Sequence, residues 1–166
     1  FVPISGRTQD EVLSLHEEAR ELGFPDDSFF DEMRFCMRSQ GQEQIVTACE
    51  FVTEAVDGRG SMCIEVMLDD VVVFTAEAGD VSPISPLRGV WSFEGDWVLE
   101  YVYTEVTIEE DENVVHGDSI GQLVWNGDLL SAALHTDEIF GFQLMNERTF
   151  YFFDKDGEVG IVFDGI

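Results

Sequence analysis

Between residues 88 and 163 the chain breaks into short apolar segments, each closed by a turn signal, and that rhythm restricts the fold more than any other feature. Asn126-Gly127 separates residues 120–125 from 129–134, and Asn-Gly supplies the two positive-φ positions of a tight type I′ hairpin. Glu94-Gly95-Asp96 separates 90–93 from 97–103, and Asn146-Glu147 separates 140–144 from 150–153. Asp154-Lys155-Asp156-Gly157 then turns the chain into 159–163. Each break reads as a hairpin. Val159, Ile161 and Phe163 share one face by the two-residue period of a strand. Residues 150–153 are apolar on both faces, so something should cover the second one.

Upstream the spacing changes. Thr8 and Glu11 form a capping box, followed by Val12, Leu15, Ala19 and Leu22, which predicts a helix over 9–22. Asp27 or Ser28 caps a second helix carrying Met33, Cys36 and Met37 and ending near Gly41. Ile45, Ala48, Cys49, Val52 and Val56 repeat the spacing in a third, closed by Asp57-Gly58. Residues 61–67 and 71–75 form a first hairpin around Asp69-Asp70, and 77–88 reads as a connecting loop. The expected fold class is therefore α+β: an N-terminal three-helix unit within residues 1–60, then an antiparallel β-meander over 61–166. The meander is expected to form a barrel or a strongly curved sheet with the helices on one face or end.

Charge excludes several function classes. The chain carries 35 acidic against 8 basic residues, a formal net charge of −27. Residues 1–60 hold 13 acids and 5 arginines, leaving −8, whereas 61–166 hold 22 acids against Arg88, Arg148 and Lys155, leaving −19. Such a body repels nucleic-acid phosphates and anionic membranes and attracts basic proteins or cations. With 14 phenylalanines it is no disordered acidic tail. No apolar run approaches the ~20 residues that span a bilayer, so a soluble chain is expected, with peripheral attachment to a membrane complex still open. Cys36, Cys49 and Cys63 are an odd count at no metal spacing and read as buried thiols of a reducing compartment, cytoplasm or plastid stroma. One lysine against seven arginines also fits adaptation to a salty cytoplasm.

Three short resemblances add expectations. Phe1-Val2-Pro3 resembles the start left after signal-peptide cleavage in preproteins of algal plastids of red-algal descent, which implies a plastid protein. Leu22-Gly23-Phe24-Pro25 resembles the loop of ubiquitin-associated domains over 8–57, although that family's apolar positions in the first helix fall here on His16 and Ala19. Gly89-Val90-Trp91 is similar to the Gly-x-Trp of lipocalin-like barrels, which implies a cavity for a small apolar ligand.

No catalytic constellation emerges. Gly117-Asp118-Ser119-Ile120-Gly121 fits the nucleophile-elbow pattern, but residues 122–125 leave it as a strand, where the elbow needs a helix. Asp154-Lys155-Asp156-Gly157-Glu158 starts like a calcium loop, yet its sixth position is Val159 and its twelfth Gly165. His16, His116 and His135 have no paired spacing, so no metal and no cofactor are expected. What remains is a non-enzymatic acidic interaction protein that docks on a basic surface, as an accessory subunit of a larger assembly or as a nucleic-acid mimic. Glu109, Glu110, Asp111 and Glu112, with Asp69 and Asp70, are the candidate partner-binding residues. The alternative is a carrier of a small apolar ligand, lined by Trp91, Trp97, Tyr101, Trp125 and Phe142.

Overall fold

The computed structural model describes residues 35–40, 44–54, 60–82, 84–109, 114–146 and 148–164, and nearly all of them lie in strands. In chain order these are β1 (Cys36–Gln40), β2 (Ile45–Glu54), β3 (Gly60–Leu68), β4 (Val71–Asp80), β5 (Leu87–Phe93), β6 (Asp96–Glu109), β7 (Val114–Trp125) and β8 (Asp128–Leu129). A single turn of helix, α1 (Leu130–Leu134), then leads into β9 (Glu138–Met145), β10 (Arg148–Lys155) and β11 (Glu158–Phe163).

The α+β expectation is overturned. Within the region assigned to three helices, residues 36–40 and 45–54 are strands β1 and β2, paired antiparallel with each other. The first predicted helix lies outside the described residues. The helical spacing misled because β2 is covered on both faces: Val46 and Ala48 are buried on one side, Thr47 and Cys49 on the other. Apolar residues on both faces hide the two-residue period, and β-branched Ile45, Val46, Thr47, Val52 and Thr53 favour the strand. The boundary drawn at residue 60 also falls within one sheet, since β2 pairs with β3 from Val46–Leu68 to Glu54–Gly60.

The cysteine reading is overturned as well. Cys36 and Cys49 are cross-strand partners joined in a disulfide, their Cα atoms 4.1 Å apart, and Cys63 is free. The next pair is hydrogen-bonded through Glu50 N–H and Phe35 C=O, so the cysteines occupy a non-hydrogen-bonded pair, where Cα atoms approach most closely.

Three layers result. β1 to β4 form an antiparallel sheet, and β6 joins it through a single parallel pair, Gly79 with Thr104. β7 lines one edge of β6, while β5 and β4 take successive stretches of the other. The sheet bends until β1 lies beside β5, where the Ser92 N–H donates to Ser39 Oγ at 3.1 Å. No ladder connects the two, so the expected barrel does not close. Val46, Ile64, Val66, Leu99 and Val124 fill the core between these two layers, with Trp97 and Tyr101. On the far face of β6 and β7, Val98, Leu123 and Trp125 meet Ile139, Phe142 and Tyr151 of the third layer, the sheet ordered β11-β10-β9. Burying each large apolar side chain contributes ~1.5–3 kcal/mol before entropy is counted.

Most of the predicted hairpins form, and at Asn126-Gly127 both residues take positive φ. Residues 129–134, expected as a strand, depart after Leu129. Leu130 and Leu134 are four apart and two alanines lie between them, which favours the helical turn.

Candidate docking surface

Of the residues singled out for partner binding, Asp69, Asp70 and Glu109 lie among the described residues. Asp69 and Asp70 form the β3–β4 turn, both at positive φ and both exposed. The Asp69 carboxylate accepts the Ile45 N–H at 3.0 Å, and the Asp69 N–H donates to the Ile45 carbonyl, which anchors the turn on β2. Glu109 ends β6 opposite Val114, and Glu110, Asp111 and Glu112 lie outside the described residues. The path from Val71 to Gly79 and on from Thr104 to Glu109, at about 3.3 Å per residue, spans roughly 40 Å. The Asp69-Asp70 turn and Glu109 therefore sit at opposite ends of the bent sheet.

At the Asp69 end, two more turns gather. Gln44, next to Ile45, donates its side-chain N–H to the Gly95 carbonyl at 3.3 Å, drawing in the β5–β6 turn with Glu94. Asn126 accepts the Trp97 N–H at 2.9 Å and donates to Asp96 at 2.7 Å, which ties on the β7–β8 turn with Asp128. Trp125 Nε1 also donates to the Asp96 carboxylate, so that acid serves the turn itself. Asp70, Glu94 and Asp128 are exposed, each held by a tight turn. Sequence reasoning singled out Asp69 and Asp70 as candidates; Glu94 and Asp128, exposed at the same end, were not among them. Turn signals at equal spacing along paired strands would have revealed them.

The carrier residues are divided between the two packed cores. Trp97 and Tyr101 belong to the first, and Trp97 meets Phe74 with ring centres 6.0 Å apart. Trp91, Trp125 and Phe142 belong to the second, with Phe142 4.7 Å from Trp91 and 6.0 Å from Trp125. A depression of about 530 Å³ at the β10–β11 hairpin is lined by Phe153, Lys155, Asp156, Glu158, Val159 and Gly160, none of them in that set.

Ser119, the centre of the elbow motif, lies inside β7 with its hydroxyl 3.3 Å from Thr104 Oγ1. The calcium-like stretch is the β10–β11 turn, its acids used locally: Asp154 accepts the Gly157 N–H at 2.9 Å, and Asp137 accepts the Asp156 N–H at 2.7 Å. Among the described residues no cluster of histidine, cysteine, aspartate or glutamate has the shape of a metal site. Nor is any described helix long and apolar enough to cross a membrane.

The outer face of the third layer carries the second apolar side that residues 150–153 show in sequence. In β10, Tyr151 and Phe153 point inward, so Phe150 and Phe152 point out. Across the ladder Phe152 lies opposite Phe140 and Ile161, and Phe150 opposite Phe163. The rings stack, Phe140 on Phe152 at 5.8 Å and Phe150 on Phe163 at 6.3 Å. Ile161 and Phe163 are each 56% exposed, Met145 58% and Val159 64%. The expected cover for the second face of β10 is thus present on the inner side and incomplete on the outer. At one end Arg148 lies over the Phe163 ring, 4.8 Å from its centre, and bridges to Asp164. Comparison of the chain with family models, curated proteins and solved structures finds no match.

Proposed function

We propose that the protein is a non-enzymatic acidic interaction protein that docks on a basic surface of a larger assembly. The supporting observation is the gathering at one end, on a body of net charge −27, of the three hydrogen-bonded turns that carry the exposed Asp70, Glu94 and Asp128. Exposed carboxylates gathered in this way steer a cationic partner at long range. The Cys36–Cys49 disulfide supports residence in, or passage through, an oxidising compartment, in place of the reducing one expected from free thiols.

The test is capture from the native source at two salt concentrations, read by mass spectrometry, beside the triple variant Asp70→Asn, Glu94→Gln, Asp128→Asn. The reading expects a basic protein retained at low salt and released at high salt, because exposed charges are screened within about 8 Å at physiological ionic strength. The variant should retain it at least about tenfold less well. Retention indifferent to both salt and the variant overturns the reading.

A further inference from the structure

We infer that β11 accepts an extended segment of a basic protein partner as a fourth strand of the β9–β11 sheet, its arginine or lysine side chains lying over the exposed Phe163 ring and the half-buried Phe150 and Phe152 beside it. This rests on the acidic docking reading and locates the apolar part of that interface. The backbone parity of β11 comes first. Asp164 N–H donates to Thr149 C=O at 2.8 Å, so the hydrogen-bonded pairs along β10 fall at even-numbered residues of β11. The N–H and C=O groups of Val159, Ile161 and Phe163 therefore point away from β10, to the edge that no described strand pairs, and their side chains to the aromatic outer face. Nothing in the strand blunts that edge: residues 158–163 contain no proline and no lysine, and their pairing with β10 runs without a bulge.

Charge decides the occupant. Glu158 opens the strand opposite Lys155 and Asp164 follows it, while Glu138 and Asp154, in one row of the ladder with Val159, keep their charge but already accept the N–H groups of Gly121 and Gly157. A second copy of this chain would set these carboxylates against their own kind, with −27 on each body. A cationic strand is complementary. The face already holds one guanidinium in the geometry required, Arg148 between the Phe163 ring and the Asp164 carboxylate. Main-chain bonds to Val159, Ile161 and Phe163 would supply register, and cation–aromatic contacts would supply preference.

The probe is a blocked eight-residue peptide alternating lysine or arginine with valine or isoleucine, titrated into the whole chain by calorimetry. Its controls are an acidic counterpart and a copy N-methylated on alternate residues. The basic peptide is expected to bind at least about tenfold more tightly than either control and to slow amide exchange at Val159, Ile161 and Phe163. Ile161→Pro removes an N–H that β10 does not use, so the variant should keep its fold and lose at least about tenfold in affinity. Equal binding of the N-methylated or acidic peptide overturns the inference, as does self-association through this edge. Should Ile161→Pro fail to fold, the N-methylated peptide probes the same edge on the unchanged protein. If Ile161→Pro still captures a salt-sensitive basic partner as the unaltered chain does, the edge is refuted and acidic docking stands. If the unaltered chain captures no basic partner at any salt, the docking reading itself falls.

Discussion

The Glu100 carboxylate, on β6, accepts the backbone N–H of Gly141, on β9, at 2.6 Å, and with its other oxygen the N–H of Phe142 at 3.1 Å. The two layers are thus joined by a buried acid as well as by apolar packing. The cause lies in a bulge. Between Phe150 and Phe152 the β9–β10 register shifts, Gly141 takes φ +67, and two successive N–H groups are left for Glu100. Glu100→Leu should lose roughly 2–4 kcal/mol, since two buried donors then lack an acceptor, whereas Glu100→Gln should lose less. Urea unfolding of the two variants checks this, and equal losses would contradict it.

The same carboxyl sets a pH dependence. Burial pushes the Glu100 carboxyl above its ordinary value, against the pull of the two backbone N–H groups and Arg88. Burial likewise raises Glu50, opposed by the Ser85 hydroxyl and Arg88. A carboxyl raised in the folded state holds its proton more tightly there. Its stabilisation is greatest below the unfolded pKa and declines as pH rises through the folded one. Relief of net negative charge acts in the same direction. The melting temperature should therefore fall between about pH 5 and about pH 8, and Glu100→Gln should flatten part of that fall. A melting temperature that climbs over this range would refute it.

Reduction of Cys36–Cys49, 13 residues apart in sequence, should lower stability by about 2–3 kcal/mol. Alkylation of the denatured chain should label one thiol before reduction and all three after it. Three labelled thiols without reductant would deny the bond.

Gly79 adopts φ +87, and a Cβ there would lie 2.0 Å from the Thr104 carbonyl oxygen. Since Gly79–Thr104 is the one parallel pair between β4 and β6, Gly79→Ala should cost roughly 2–4 kcal/mol. A denaturant midpoint unchanged from the parent chain would show that the layers do not depend on this approach.

The Tyr151 side chain is fully buried, and its hydroxyl has no hydrogen-bond partner among the described residues. Tyr151→Phe removes a desolvated group and keeps the packing, so stability should hold or improve by about 1 kcal/mol. A loss beyond about 1 kcal/mol would mean that the hydroxyl is bonded after all.

The hairpins between residues 88 and 163 were legible because Glu94-Gly95 and Asn126-Gly127 mark their turns within a few residues of the strands they join. β1 and β2 were not. Met37 and Cys36 face opposite sides, as do Ala48 and Cys49, and both sides of β2 are occupied. A strand covered twice carries no alternation to read. The carrier residues misled in the same way, since aromatic content says that a core exists but not whether Trp97 and Trp125 face one cavity or two separate layers.

By itself the sequence determined the charge, the turn positions and the two-faced character of Phe150 to Phe153, because each depends on residue identity or on neighbours a few positions away. Only the tertiary structure decided that β4 and β6 run parallel, that Glu100 meets Gly141, and that Val159, Ile161 and Phe163 stand at an edge that no described strand pairs. Those outcomes depend on which strands come together over long separations, and strand pairing is chosen by the burial of whole faces, which no local pattern encodes.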